Sequence, residues 1–382
     1  TIETLEFASG SKIETIARYA FKDCVSLKSI YIPNTVTSIG YGAFQGCTKL
    51  DDVNIPESVE VIDANAFNGC LGLNEVNLND GLTEIGDYAF ASTPITYMYF
   101  PSTLEKIGKG VFSNCSKLNE LSVAEANEKF TVKSNILYTT ANDGTKEIIL
   151  VLKTSATTLT IADNVSKIYS NAFFSAESLR ELIIPATVKE IENDALVGCT
   201  NLEKITVPFI GTSINSLAAF GSIFGTKSMV NLKEVVVLQG TTVVEKAFKD
   251  FSNIVTITLP QNVSAIGNEA FSGCSSLTTI NNIPTDLTKI NKNSFANCTK
   301  LDMNIIASLL SSPTLTIIED GVFQGCATIR SLVIPENVKH IGLGAFENCS
   351  SITEVNLPFI GMGYQLNLKT NELTDEFDTT ST

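Results

Sequence analysis

Nine cysteines occupy a single position of a phrase that recurs along the chain, of which SIGYGAFQGC at residues 38–47 is one copy. A regular series of thiols could hold metal ions or form redox pairs, because the thiolate is both a metal ligand and a nucleophile. The alternative is packing, because free cysteine behaves as a small hydrophobic core residue. The series comprises Cys24, Cys47, Cys70, Cys115, Cys199, Cys274, Cys298, Cys326 and Cys349.

Three features of this series favour packing over chemistry. Thr93, Ala176 and Phe251 take the same position in three other units, and a reactive site would not accept Phe or Ala there. Equivalent side chains of neighbouring units point in parallel, so their Cβ atoms lie beyond the roughly 3.5–4.5 Å that a disulfide requires. Nine is also an odd number, which argues against complete internal pairing. We therefore predict free thiols in a core slot.

The remaining residue types indicate no catalytic or metal site. His340 is the single histidine, so a multi-histidine zinc site cannot form, and its repeat position predicts a surface residue. The carboxylates fall at exposed repeat positions, and no pair of them is marked as a general acid and base. No calcium-binding loop pattern of alternating Asp residues occurs. We therefore predict a protein that is not an enzyme and needs no cofactor or metal.

Composition excludes several further classes. The 382 residues carry a net charge of −15, whereas binding to nucleic acid or anionic lipid needs an excess of Lys and Arg. The longest apolar run is Ile148–Leu152, far short of the roughly 18–20 residues of a membrane span. The sequence starts without an initiator Met or a signal peptide. We expect a trimmed or mature fragment, and this start leaves open that an export signal was removed.

An internal repeat organises the chain. Alignment on the pair Ala-Phe gives twelve units, and the first four phenylalanines stand 23 residues apart. A unit of this size cannot bury both of its faces alone, so neighbouring units must stack and share one core. The aligned positions end at Phe21, Phe44, Phe67, Phe90, Phe112, Phe173, Leu196, Phe248, Phe271, Phe295, Phe323 and Phe346.

The two halves of a unit have different periods. Ile30 and Ile32 alternate with polar residues, which predicts a short strand that Pro33 ends. Ile39, Ala43, Phe44 and Cys47 follow a helical period, which predicts a short helix. Gly, Asn or Asp precedes the cysteine, as expected of a left-handed residue that ends a helix. These residues are Asp23, Gly46, Gly69, Asn114, Gly198, Gly273, Asn297, Gly325 and Asn348.

The full phrase, L-x-x-I-x-I-P-x-x-V-x-x-I-G-x-x-A-F-x-x-C, resembles the Treponema-type leucine-rich repeats of BspA-like surface proteins. The resemblance implies an α/β repeat solenoid: a curved leucine-rich-repeat array of short parallel strands and short helices, with a β-hairpin insert. It also implies export, display on the surface of a bacterial or protist cell, and a protein-binding or adhesive role. An extracellular or cell-surface location is the corresponding expectation.

Spacing between the units predicts six segments. N-terminal repeats occupy 1–123, and an inserted hairpin occupies 124–158, where Asp143-Gly144 lies between strand-like runs. Repeats continue over 159–207. A loop insert with a degenerate repeat follows at 208–240, with a short helix expected around Ala219-Phe220. C-terminal repeats occupy 241–357, and residues 358–382 are expected to form a tail or linker.

The outward strand positions predict a binding surface, because solenoids bind partners on extended faces. Its first half combines acidic residues with tyrosines, which are favoured at binding hot spots. We expect a monomer that binds a protein ligand, such as a surface or matrix protein of a host or neighbouring cell. A plain solvated face, and a structural spacer that presents another domain, are the alternatives. The candidate binding residues are Tyr31, Asp52, Glu75, Tyr97, Tyr99 and Glu120.

Overall fold

The computed structural model describes residues 2–225 and 229–357, together with the backbone of 365–367 and 372–374. Short strands dominate the N-terminal part. They are β1 (Thr4–Leu5), β2 (Thr15–Ile16), β3 (Ser29–Tyr31), β4 (Ser38–Ile39), β5 (Asp52–Asn54), β6 (Val61–Ile62), β7 (Glu84–Ile85), β8 (Tyr97–Phe100), β9 (Lys106–Ile107) and β10 (Glu120–Val123).

The middle part has longer strands and one 3₁₀ helix, which spans Phe220–Phe224. Its strands are β11 (Phe130–Lys133), β12 (Ile136–Thr140), β13 (Lys146–Val151), β14 (Thr158–Thr160), β15 (Val165–Ile168), β16 (Glu181–Ile183), β17 (Glu190–Ile191), β18 (Lys204–Val207) and β19 (Glu234–Val237).

The C-terminal part returns to short strands and includes the α-helix α1 (Met303–Leu310). Its strands are β20 (Thr242–Val243), β21 (Thr256–Thr258), β22 (Ala265–Ile266), β23 (Thr279–Asn281), β24 (Lys289–Ile290), β25 (Ile317–Ile318), β26 (Ser331–Val333), β27 (His340–Ile341), β28 (Glu354–Asn356), β29 (Gln365–Asn367) and β30 (Glu372–Thr374). No helix of the described residues has both the length and the hydrophobicity to cross a membrane.

Parallel pairing between successive turns builds the solenoid. Ile30 lies opposite Val53, and Ile39 lies opposite Ile62, so a regular turn adds one strand to each of two sets. The first set forms the sheets β1-β3-β5, β8-β10, β14-β16-β18-β19-β21-β23 and β26-β28. The second set forms the sheets β2-β4-β6-β7-β9, β11-β12-β13-β15-β17, β20-β22 and β24-β25-β27.

The prediction of short helices around the Ala-Phe pairs is wrong. These segments are runs of turns in which backbone N–H groups alternate between two kinds of partner. Phe44 N–H donates to the carbonyl of Ala66 in the next turn of the solenoid at 2.8 Å. Gln45 N–H instead donates to Gly42 at 3.1 Å, and Cys47 N–H donates to Phe44 at 3.1 Å. Every second N–H is thus engaged between turns, so the i to i−4 ladder of an α-helix cannot form.

A left-handed residue inside each turn segment also blocks the helix. Gly42 has φ 59°, and Gly46, four residues later, has φ 74°. The sequence interpretation placed only the second of these residues in the left-handed region, and for Gly198 that placement is wrong. Gly198 lies outside the positive-φ set; a Cβ there would meet the carbonyl oxygen of Phe173 at 2.0 Å, so close approach explains this glycine.

The Phe residues lie in the core as predicted, but their rings form two stacks and the buried residues form two clusters rather than one continuous core. Phe44, Phe67 and Phe90 are fully buried, and their rings stack with centroids 5.3 and 5.5 Å apart. A second stack runs through the C-terminal part, where Phe271 and Phe295 lie 5.3 Å apart. Since the rings lie in the interior at the same place in successive turns, the core position was correctly predicted.

The inserted hairpin is present and links the two halves of the core. Strand β12 pairs antiparallel with both β11 and β13, and β13 then pairs in parallel with β15 of the next turn. Ile148 packs into the C-terminal half of the core, whereas Leu150 packs into the N-terminal half. The hairpin thus replaces a turn segment without interrupting hydrophobic burial.

Two helices depart from the repeat, and the sequence predicted one of them. The helix expected near Ala219-Phe220 is the 3₁₀ helix, and its Phe220 and Phe224 are buried. The sequence analysis did not predict α1, which takes the place of a strand between β23 and β26. Asp302 caps this helix, because its side chain accepts a hydrogen bond from the backbone N–H of Asn304 at 2.7 Å. The predicted tail at 358–382 lies outside the described residues, apart from the backbone of β29 and β30.

Candidate protein-binding surface

Alternation along the first strand set exposes the predicted tyrosines. Ile30 is buried, and the adjacent Tyr31 keeps 64% of its surface exposed. In β8, Tyr97 and Tyr99 keep 40% and 38% exposed, while Met98 between them is fully buried. The buried neighbours anchor each strand, so the tyrosine rings project from a fixed backbone.

The structure brings the candidate residues together as two groups, with one residue between them. Tyr31 and Asp52 belong to the sheet β1-β3-β5, whereas Tyr97, Tyr99 and Glu120 belong to β8 and β10. Glu75 is exposed, as predicted, but it lies in a segment that forms no strand. The predicted strip is therefore interrupted between β5 and β8.

The second group is held by direct contacts. Tyr97 lies opposite Glu120 in the parallel register, and Tyr99 lies opposite Ser122. The hydroxyl groups of Tyr97 and Ser122 are within hydrogen-bond distance of each other, at 2.7 Å. This contact limits the motion of the Tyr97 ring and reduces the conformational entropy that a partner must freeze on binding.

The acidic residues give this surface its charge. Within residues 2–225 and 229–357, Asp52, Glu75 and Glu120 take part in no salt bridge. Later in the same strand set, Lys204 lies 3.7 Å from Glu181 and 3.2 Å from Glu234, which compensates part of the negative charge there. The N-terminal part of the face thus combines exposed tyrosines with uncompensated negative charge.

The cysteines lie in the core, as predicted. All nine thiols are free, Cys24 is partly buried, and the other eight are buried. Each of seven of these thiols contacts the backbone carbonyl of a Phe in the preceding turn; Cys47 Sγ, for example, donates to Phe21 O at 3.1 Å. Burial raises the pKa of Cys47, Cys274 and Cys326 to about 12, which keeps the nucleophilic thiolate unpopulated at neutral pH.

The described part of the chain shows little sign of a catalytic or metal-binding site elsewhere. No three side chains of the types His, Cys, Asp and Glu come together there in a group that could hold a metal ion. His340 lies in β27 and is partly buried rather than fully exposed, so the surface prediction for it was only partly correct.

Sequence reasoning missed a groove at the interruption between β5 and β8. Asp52 and Asn54 lie on one side of it, and Asn77 and Asn79 lie on the other. One signal for it was present in the sequence: Asn79 stands where Pro33 and Pro56 end the strands of the preceding units, within the polar stretch NLND at 77–80.

These features define the class of protein: a leucine-rich-repeat solenoid whose turns share a ladder of buried aromatic rings. The sequence profile of the BspA-type leucine-rich repeat region, in six copies, matches residues 2–140, 152–230 and 223–353. The chain therefore belongs to the BspA-type leucine-rich-repeat family.

Solved bacterial structures support the fold. The chain is similar to a leucine-rich repeat protein from Eubacterium ventriosum at 20% identity and a TM-score of 0.63, over 96% of this chain and 87% of that one. It is also similar to a leucine-rich repeat protein from Bacteroides ovatus at 23% identity and a TM-score of 0.54, over 90% of this chain and 82% of that one. No curated protein shows a significant match to the sequence.

Proposed function

We propose that the chain is a non-enzymatic, exported cell-surface module that binds a protein partner through the exposed strand face of its N-terminal half. The partner is a surface or matrix protein of a host or neighbouring cell, and the chain acts as a monomer. The observation that carries this proposal is the exposure of Tyr31, Tyr97 and Tyr99 on strands whose alternate residues are buried.

Physical reasoning supports a binding role for these tyrosines. A rigid aromatic side chain offers a large contact area at a small entropy cost, which is why Tyr is enriched at interface hot spots. The uncompensated Asp52, Glu75 and Glu120 favour a partner with a basic surface, and attraction between opposite charges accelerates encounter. A repeat array presents such groups along an extended face, which suits a large partner.

Binding to a panel of purified matrix proteins tests this proposal. We expect the double substitution Tyr97→Ala and Tyr99→Ala to weaken binding at least tenfold, which corresponds to about 1.4 kcal/mol. The matched control is Thr256→Ala with Thr258→Ala, because these residues are the outward pair of β21 in the same strand set. The control should retain the affinity of the native chain.

Salt dependence adds a second measurement. If Asp52, Glu75 and Glu120 steer a basic partner, the association rate should fall as ionic strength rises, because the Debye length shortens to about 10 Å at 0.1 M salt. Unchanged affinity for every substitution along the face would rule this surface out, and it would favour a structural spacer that holds another domain away from the cell.

A further inference from the structure

Adjacent turns separate on one side of the solenoid between β5 and residues 75–77. In the second strand set the same turns stay paired, since β6 pairs with β7, and Phe67 and Phe90 remain stacked in the core. In the first set, β5 is the last strand of its sheet. Asp51 N–H donates to Lys28 O at 2.9 Å, but in the described residues no equivalent bond joins Asn74 to Asp51.

The residues of this segment explain the separation. Asn is a poor strand former, and its amide competes for backbone groups. Asn74 Nδ2 donates to its own neighbour Gly72 O at 2.8 Å, and Asn79 Nδ2 donates to Ile55 O across the gap. One side-chain amide thus crosses the gap where backbone ladder bonds are absent, while the core below remains intact.

The separation leaves a polar groove of about 610 Å³. This volume falls within the roughly 300–1,000 Å³ typical of ligand clefts. Four asparagine amides and two carboxylates supply most of the polar groups in its lining. The polar side chains that define it are Asn34, Asp52, Asn54, Glu57, Asn77 and Asn79.

One of these amides lacks a partner. Asn54 Oδ1 is shielded from solvent and has no hydrogen bond, which costs roughly 1–3 kcal/mol for a buried polar atom. Because this oxygen is closed to solvent, a ligand in the groove must instead contact accessible amides, of which Asn77 is exposed.

Tyrosines flank the amides on both sides. Tyr31 lies directly opposite Asn54 in the strand register. Tyr99 holds the equivalent position one unit beyond Asn77, and both rings are exposed. The register thus places Tyr31 beside Asn54, just outside the groove lining, and Tyr99 one unit beyond Asn77.

We propose that this groove binds a neutral saccharide unit of a glycan. The amides match the alternating donors and acceptors of adjacent sugar hydroxyls, and a tyrosine ring packs against the C–H face of a pyranose. Asp52 and Glu57 disfavour anionic sugars such as sialic acid because like charges repel. This inference goes beyond the proposed protein-binding function and does not depend on it.

A printed array of neutral and sialylated oligosaccharides tests the inference, followed by calorimetry with the best neutral ligand. We expect a neutral glycan to bind and Asn77→Ala to weaken its binding at least tenfold. Asn77 is exposed and lies outside the strands, so its truncation should leave the fold intact, and thermal unfolding checks this. Tyr31→Ala should likewise reduce affinity.

The matched control is Asn281→Ala. Asn281 ends β23 at the same repeat position, but there the strand pairs with β21 of the preceding turn, and its amide donates to Thr258 Oγ1 at 2.9 Å. This variant should bind like the native chain. The inference is overturned if no neutral glycan binds, if sialylated glycans bind best, or if Asn77→Ala binds as tightly as Asn281→Ala. Matrix-protein binding should survive Asn77→Ala, so the two proposals fail separately.

Discussion

Phe67 and Phe90 stack with ring centroids 5.5 Å apart and planes inclined by only 2°, although they belong to different turns of the solenoid. The same contact joins Phe44 to Phe67 at 5.3 Å. Each ring is thus covered by the ring before it and the ring after it. Burial of the phenylalanine depends on the neighbouring turns, so the ladder couples the stability of each turn to that of the next.

Replacement of Phe67 by Ala should therefore be costly. Phe67 is fully buried between two rings, so truncation leaves a cavity and should reduce the free energy of unfolding by roughly 3–5 kcal/mol. Urea unfolding followed by circular dichroism measures this change. The control Leu71→Ala removes a side chain that is 60% exposed and should have little effect. A loss below about 1 kcal/mol for Phe67→Ala would contradict the ring-ladder account.

The thiols should react in an order set by burial. Cys24 is the one cysteine that is only partly buried, so it should react first with a thiol reagent in the native protein. Under denaturing but non-reducing conditions, titration should recover nearly nine groups, because all nine thiols are free. The substitution Cys24→Ser should remove the fast phase. Recovery of seven thiols or fewer after denaturation would indicate a disulfide.

Stability should fall at alkaline pH. Burial raises the pKa of Cys47, Cys274 and Cys326 to about 12, from roughly 8.5 for a thiol in the unfolded chain. In this range the folded state binds more protons than the unfolded state, so stability decreases as pH rises. The contribution is fully present below about pH 8.5 and is lost towards pH 12. Urea midpoints measured from pH 7 to 11 should therefore decline.

The variant that carries Cys47→Ala, Cys274→Ala and Cys326→Ala isolates the thiol contribution. Its urea midpoint should be lower at pH 7, because buried volume is lost. Between pH 8.5 and 11 its midpoint should fall less steeply than that of the native chain. Equal slopes would mean that other groups cause the alkaline loss.

The sequence alone was sufficient to predict the features that recur in every unit. Phe67 and Cys70 were placed in the core because their spacing recurs, and stacking then follows from the need to bury a small unit. The strand positions of Ile30 and Tyr31 followed from simple alternation. The inserted hairpin could also be predicted, since Asp143-Gly144 separates two apolar runs.

The features that the sequence did not predict depend on contacts between turns. The spacing of Ile39, Ala43 and Phe44 fits a helix equally well, because local periodicity cannot reveal that alternate N–H groups bond to the next turn. Helix α1 interrupts the repeat once, so no comparison between units could predict it. The groove beside Asn54 arises where one pair of turns loses its ladder, and the periodic pattern masks such a local break.

Asn65 offers a direct test of helix against turn, because its φ of 58° is left-handed. Both Asn65→Gly and Asn65→Ala lose the hydrogen bond that Asn68 Nδ2 donates to Asn65 Oδ1, so the difference between them isolates the backbone. If residue 65 lies in a turn, the free energy of unfolding of the Gly variant should exceed that of the Ala variant by about 1–2 kcal/mol, since of the two only Gly adopts this conformation without strain. If residue 65 lay inside a helix, the Ala variant would instead be the more stable by about 1 kcal/mol. Paired urea unfolding curves distinguish the two, and a more stable Ala variant would contradict the turn structure.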